Sequence, residues 1–143
     1  MPGVREILIG RRSGDHALLT VRGRLFPEDD ASDWLWTSLA VRVGGFGCQL
    51  EGNLRAAELR QFRVALERLY DASTTDAALT TEDDWVSITL AVDGDRSVIG
   101  TIRVRDEASP PNELRCGLAA LEPASLSATI ESLHEVERSF ATE

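Results

Sequence analysis

The spacing of apolar side chains constrains this chain more than any other feature. Between Trp34 and Val43 it alternates: Leu35, Leu39, Val41 and Val43 fall on one face, and Trp34, Trp36, Ala40 and Arg42 on the other. A period of two marks a strand whose faces see different surroundings. Gly44-Gly45 supplies a tight turn at which a positive φ carries no steric penalty. Phe46, Cys48 and Leu50 then resume the alternation, so residues 34–50 predict a hairpin. After Leu50 the period lengthens. Leu59, Phe62, Leu66 and Leu69 form one helical stripe, which predicts a helix over about 54–71 with Asn53 as its N-cap.

The same two periods organise the remainder. Residues 4–9 and 16–25 predict two strands joined by a turn at Arg11–Gly14, the second with Ala17, Leu19, Val21 and Leu25 on one face. The acidic segment 26–33 is a loop, and 77–81 is a short strand or a loop. Val86, Ile88, Leu90 and Val92 alternate through 85–92; Asp93-Gly94 turns the chain into a partner strand over 97–105. A Pro-broken loop leads to a last strand at 113–120. Pro123 suits the first turn of a second helix, whose stripe is Leu126, Ile130, Leu133, Val136 and Phe140. Strands, helix, strands, helix predicts an α+β fold: an antiparallel, curved sheet of about six to eight strands with two helices, about 54–71 and 123–140, packed against it. No long linker, internal repeat or low-complexity tract is legible, so one domain over residues 1–143 is expected.

Several chemistries fall away. All 15 basic residues are Arg, against 24 acidic residues, for a net charge of −9. That balance argues against general nucleic-acid binding and against attraction to anionic membranes. Without Lys there is neither a Schiff-base lysine nor a phosphate-loop lysine. Gly44-Gly45-Phe46-Gly47 fails the dinucleotide pattern because Leu50 stands where its third Gly belongs. Asp93 and Asp95 have the spacing that opens a calcium loop, but Val98 occupies the position that needs Gly. The two histidines, His16 and His134, lie far apart, and Cys48 and Cys116 show no metal-ligand spacing. The cysteines read as free thiols in a reducing compartment or as a disulfide pair. No catalytic, metal-binding or cofactor-binding residue is assigned, and no cofactor is expected. Without a signal peptide or spanning segment, a cytoplasmic protein is expected.

A binding surface is the remaining reading. If the helices cover the Leu/Val face, the opposite face collects Trp34, Trp36, Trp85, Arg22, Arg24, Arg42, Arg103 and Arg105. Trp and Arg are the residue types enriched at binding hot spots. Asp29, Asp30 and Asp33 add an acidic loop beside it. The candidate partner-binding residues are therefore Trp34, Trp36, Trp85, Arg103, Arg105, Asp29, Asp30 and Asp33. The competing expectation is a sheet that curls and buries the tryptophans, with the arginines paired to acids. Glu82/Asp83/Asp84 and Asp106/Glu107 read as solvated charge, with an acidic docking surface or acid–base catalysis as the alternatives.

These residues resemble a known pattern. Asp33-Trp34-Leu35, the Gly44-Gly45-Phe46 turn, Leu59–Phe62–Leu66–Leu69-Tyr70, Ala77, Leu79, Glu82, Asn112-x-Leu114 and Leu126–Ile130–Leu133 are similar to the WapI-type immunity proteins and related small proteins of GC-rich bacteria. The likeness covers roughly residues 33–140. Where that family often has an Asp-Gln pair before its final helix, this chain has Leu121-Glu122-Pro123. The resemblance implies no enzymatic activity and a role in binding and blocking a cognate toxin domain of a kind that attacks RNA. The alternative is a stand-alone interaction domain that pairs with a second copy of itself through the exposed sheet face and has no toxin partner. A third class, a small-ligand binder or enzyme with a sheet-lined cavity, would need a deep pocket holding polar groups with shifted pKa values.

Overall fold

A computed structural model describes residues 3–94 and 97–140. Four strands come first: β1 (Arg5–Gly10), β2 (His16–Arg24), β3 (Trp34–Val43) and β4 (Phe46–Arg55), followed by helix α1 (Ala56–Tyr70). Four more follow: β5 (Asp76–Thr80), β6 (Val86–Asp93), β7 (Ser97–Arg105) and β8 (Glu113–Leu121), then helix α2 (Pro123–Ser139). The fold is α+β with antiparallel strands, as the alternation predicts. The strands form two four-stranded sheets, β1-β2-β3-β4 and β5-β6-β7-β8. The eight strands do not make one continuous sheet because β4 runs directly into α1, leaving β4 and β5 as edges of separate sheets. The short segment after the first helix is a strand. Asp93 pairs with Ser97 across the turn between β6 and β7, while Asp95 lies outside the described residues.

The architecture contains a repeat that the sequence hides. A unit of four meandering strands and a helix occurs twice. Each helix packs on the first strand of the other unit, α1 along β5 and α2 along β1, and the helices pack on each other. The two units share side-chain pattern rather than residue identity.

Inward-facing residues of both sheets and both helices join one buried cluster. Helix α1 contributes Leu59, Phe62, Leu66 and Leu69, the stripe read from the sequence. In α2 the buried residues are Leu126, Thr129, Leu133 and Val136, with Ile130 only partly covered. Thr129 is accommodated because its hydroxyl donates to the Leu8 carbonyl at 2.7 Å. Two slips in strand register explain residues that leave their expected faces. One lies between Val21 and Gly23, ahead of the half-buried Leu25. The other, between Val98 and Gly100, lets Leu118 and Leu121 both point inward despite their odd spacing.

Two core substitutions have opposite expected signs. Leu66 is fully buried, so Leu66→Ala should reduce the unfolding free energy in urea by about 2–5 kcal/mol. Thr37 is equally buried and its hydroxyl has no partner among the described residues. Thr37→Val removes an unsatisfied polar atom at almost constant volume and should raise stability by about 1 kcal/mol.

Candidate functional site

The turn between β5 and β6 ties the two sheets together. It closes through Asp84 N–H donating to the Thr81 carbonyl at 3.0 Å, with Asp84 at φ 55°. Asp tolerates that left-handed conformation better than most residues. Trp85 follows and is 9% exposed. Its indole N–H donates to the Asn53 carbonyl of β4 at 2.9 Å. Its ring lies against Gly52, where a Cβ would come within 2.7 Å of Trp85 Cδ2. A side chain on that residue of β4 would expel the indole. The Glu82 N–H donates to Glu58 of α1 at 2.6 Å, adding a second tether.

Helix α1 begins beside this turn, and its N-cap is Arg55 rather than Asn53, which lies within β4. The orphan backbone donors of a helix N-terminus need acceptors, and Asp33 supplies them from a distant part of the chain. Its carbonyl accepts from Ala56 N–H at 2.8 Å and its Oδ2 from Ala57 N–H at 3.2 Å. Glu58 accepts from Arg55 N–H at 2.7 Å. Arg55 donates to Asp33 Oδ1 at 2.8 Å and stands over the Trp34 ring, 5.4 Å from its centroid, a cation–π arrangement. Burial pushes the Asp33 carboxyl toward a higher pKa. The Arg55 guanidinium and the Ala57 N–H outweigh that effect and leave it below the ordinary carboxylate range.

On the outer face of the second sheet, Arg103 and Arg105 both bind the Asp84 carboxylate, Arg105 at 2.6 Å. Glu113 bridges Arg103 at 3.6 Å and Arg115 at 2.9 Å. The Arg115 hydrogen bond is the main reason the Glu113 carboxyl sits below its usual pKa.

The sequence-derived residues are therefore divided among five settings. Trp34 and Trp36 lie on the outer face of the first sheet, opposite Arg55 and Asn53 in β4; Trp36 is 45% exposed. Arg103 and Arg105 belong to the second sheet. Trp85 does not join an exposed face: it precedes β6 at a turn, outside the alternation, and its ring turns inward onto Gly52. Asp33 is committed to the helix cap and Arg55. Asp29 shapes its own loop, with Ala31 N–H on its carboxylate at 3.0 Å and Arg24 on its carbonyl at 2.7 Å. Asp30 is exposed in that loop.

A cleft of about 400 Å³ opens where these elements meet. One wall is the end of β4 from Leu50 to Asn53, another is Asp83–Trp85, and the third is Arg105–Glu107. Its carboxylates are Glu51, Asp83, Asp84, Asp106 and Glu107, against the one guanidinium of Arg105. Glu51 is the residue that sequence reading missed; it lies in a strand, apart from the acidic clusters, and only the fold brings it beside them. Among the described residues no group of three His, Cys, Asp or Glu side chains is arranged to hold a metal ion. The cleft presents fixed negative charge over an aromatic floor, an arrangement suited to binding a cation.

A family model described as the immunity protein WapI-like family matches residues 7–141. The chain belongs to that family. No curated protein matches significantly. A solved structure titled "Crystal structures of trypanosoma bruciei MRP1/MRP2" is similar at 10% identity and a TM-score of 0.49, over 96% of this chain and 86% of that one. The described residues of this immunity-family chain contain no helix long and apolar enough to cross a membrane.

Two measurements test this geometry. Gly52→Ala should lower stability by about 1–3 kcal/mol, as overpacking does, and should shift the Trp85 fluorescence toward that of a wetter indole. The Asp33 carboxyl has a lowered folded-state pKa, so its stabilising contribution is complete above the ordinary Asp value of about 3.9 and is lost as pH falls below it. Asp33→Asn should therefore cost about 1–3 kcal/mol at neutral pH and flatten the acid side of the stability profile. An unchanged acid profile would contradict the cap.

Proposed function

We propose that the chain neutralises a cognate toxin domain by direct, stoichiometric binding, without catalysis. Membership of the WapI-like immunity family, matched over residues 7–141, carries this reading. The surface chemistry supports it. Trp36 is a large, half-exposed aromatic side chain held on a strand, the kind of group that anchors a protein interface. Trp34 shares its strand, with Arg55 over its ring. A net charge of −9 favours a basic partner through long-range steering.

Co-expression with a cognate toxin domain should restore growth of the host cell and yield a complex of one copy of each. Persistent growth arrest with both proteins folded and no complex would overturn the reading. Trp36→Ala should keep the urea midpoint within experimental error and weaken the complex by about 2 kcal/mol or more, roughly 30-fold in Kd. A large loss of stability would instead assign Trp36 a packing role.

A further inference from the structure

We propose that the open edge of β4 takes up an extended segment of the toxin domain as a further strand of the first sheet, apolar toward Phe46 and Leu50 and basic beside Glu51. This deepens the neutralisation reading and rests on it. Two separate sheets have four edges, and the helices cover two of them. Helix α2 runs along β1, where the Leu8 carbonyl accepts from the Thr129 hydroxyl at 2.7 Å, and helix α1 runs along β5. The last strand of each unit, β4 and β8, pairs with one neighbour only.

The turn that starts β4 fixes which of its backbone groups are unpaired. Gly44-Gly45 leaves Val43 and Phe46 as the closing pair, so the even-numbered residues of β4 bond to β3 and the odd-numbered ones point away. Two contacts made from outside the sheet agree with this. The Asn53 carbonyl accepts from the Trp85 indole N–H at 2.9 Å, and the Arg55 N–H donates to Glu58 at 2.7 Å. They close the end of the strand. Ahead of them, the N–H and C=O groups of Gly47, Gln49 and Glu51 have no partner among the described residues, and all three residues are exposed.

Open edges invite pairing with other chains, and folds blunt them with bulges, charges or proline. The β8 edge is blunted. Its register slips against β7 between Val98 and Gly100, and Arg115 pairs with Glu113 along it at 2.9 Å. The β4 edge keeps one register against β3 throughout and has neither proline nor a basic residue between Phe46 and Leu54. The same place in the repeat is thus defended once and left open once.

A ladder of backbone donors and acceptors recognises an extended polypeptide, and the side chains next to it select the sequence. Phe46, Cys48 and Leu50 share one face of β4. Phe46 is 70% exposed, and Cys48 and Leu50 line a pocket of about 160 Å³ whose apolar lining is completed by Val104 and Leu114. Alternate residues of the added strand meet this apolar side. The others stand beside Gln49 and Glu51, and the Glu51 carboxylate, without an ion-pair partner among the described residues, favours arginine or lysine there. A second copy of the chain would bring another net charge of −9 and repulsion, whereas a basic partner is attracted.

The test compares amide hydrogen exchange in the free protein and in its complex with a cognate toxin domain. The Gly47, Gln49 and Glu51 amides should exchange freely in the protein alone and about tenfold or more slowly in the complex. The Arg115 amide is the control: Asp106 N–H donates to the Asn112 carbonyl one pair beyond Arg105 and Glu113, which turns Arg115 N–H away from β7, and its exchange should not change. Equal exchange in both states, or protection on β8 instead, would overturn the edge proposal and leave neutralisation standing. Protection of the three β4 amides in the free protein, growing with its concentration, would assign the edge to a second copy and overturn the proposal as well. Gln49→Pro removes one outward N–H and places its ring on the free side without costing a bond to β3; Arg115→Pro does the same on β8. With folding verified by urea midpoints, Gln49→Pro should bind the toxin domain about tenfold or more weakly, and Arg115→Pro should match wild type. Equal affinity of Gln49→Pro and wild type would overturn the proposal, and the exchange measurement decides alone if Gln49→Pro fails to fold. Failure of wild type to bind the toxin domain would overturn neutralisation. The edge is then decided by a capped peptide alternating valine with threonine and arginine, which should protect the same three amides; no protection at millimolar peptide would overturn the edge proposal too.

Discussion

The Trp85 indole occupies the space that a side chain on Gly52 would fill, and its N–H satisfies the Asn53 carbonyl at the edge of the first sheet. Among the described residues no hydrogen-bonded ladder joins the two sheets, so their relative placement depends on packing and on a few specific contacts. This one combines both. Burying an indole against backbone gives a large apolar contact, and the single donor that burial would otherwise strand is paired. From it follow the position of the Thr81–Trp85 turn and the direction of the Asp84 carboxylate toward Arg103 and Arg105. It also brings Asp83 and Glu51 into the lining of one cleft. The aromatic floor and acidic walls of the cleft are two consequences of the same contact.

Much of the fold was legible because local period carries it. The alternation in β3, β6 and β7 and the stripe of α1 are set by which face meets the core, and that is written in consecutive residues. What was not legible depends on residues remote in sequence. Asn53 looked like a cap by local chemistry, yet the acceptor at the α1 N-terminus is Asp33, brought there by the β3–β4 pairing. The division into two sheets turns on where β4 ends and α1 begins, and an edge strand has the same alternation as an interior one. Trp85 was placed on an outer face by extending a period of two past the end of a strand. A turn residue follows no such period, and its neighbour Gly52 gave the clue only in three dimensions. The partner-binding surface was legible as composition, Trp and Arg in strands, while its geometry was not.

The acidic character of the chain divides by role. Asp33, Glu58, Asp84 and Glu113 hold backbone or guanidinium partners and belong to the architecture. Glu67 and Glu137 bind Arg63 where the two helices meet, with His134 beside Glu67 at 3.0 Å. Charge of this kind is neutralised locally and contributes little to the field beyond about one Debye length, near 8 Å at physiological salt. The charge that reaches a partner comes from residues without such pairs. Gathering several of them at one cleft converts a diffuse net charge of −9 into a directed one.

That directed charge also bears on self-association. Two copies of the chain related by a two-fold axis present the same patch to each other. Were the axis to pass near this cleft, Glu51, Asp83 and Glu107 of one copy would approach the same residues of the other. Like-charge juxtaposition at an interface costs several kcal/mol. A basic partner faces no such conflict. The cleft walls are strands and a turn fixed from two sides, so little of the binding free energy is lost to ordering them. The same arrangement that would repel a second copy is therefore already organised for a partner of opposite charge.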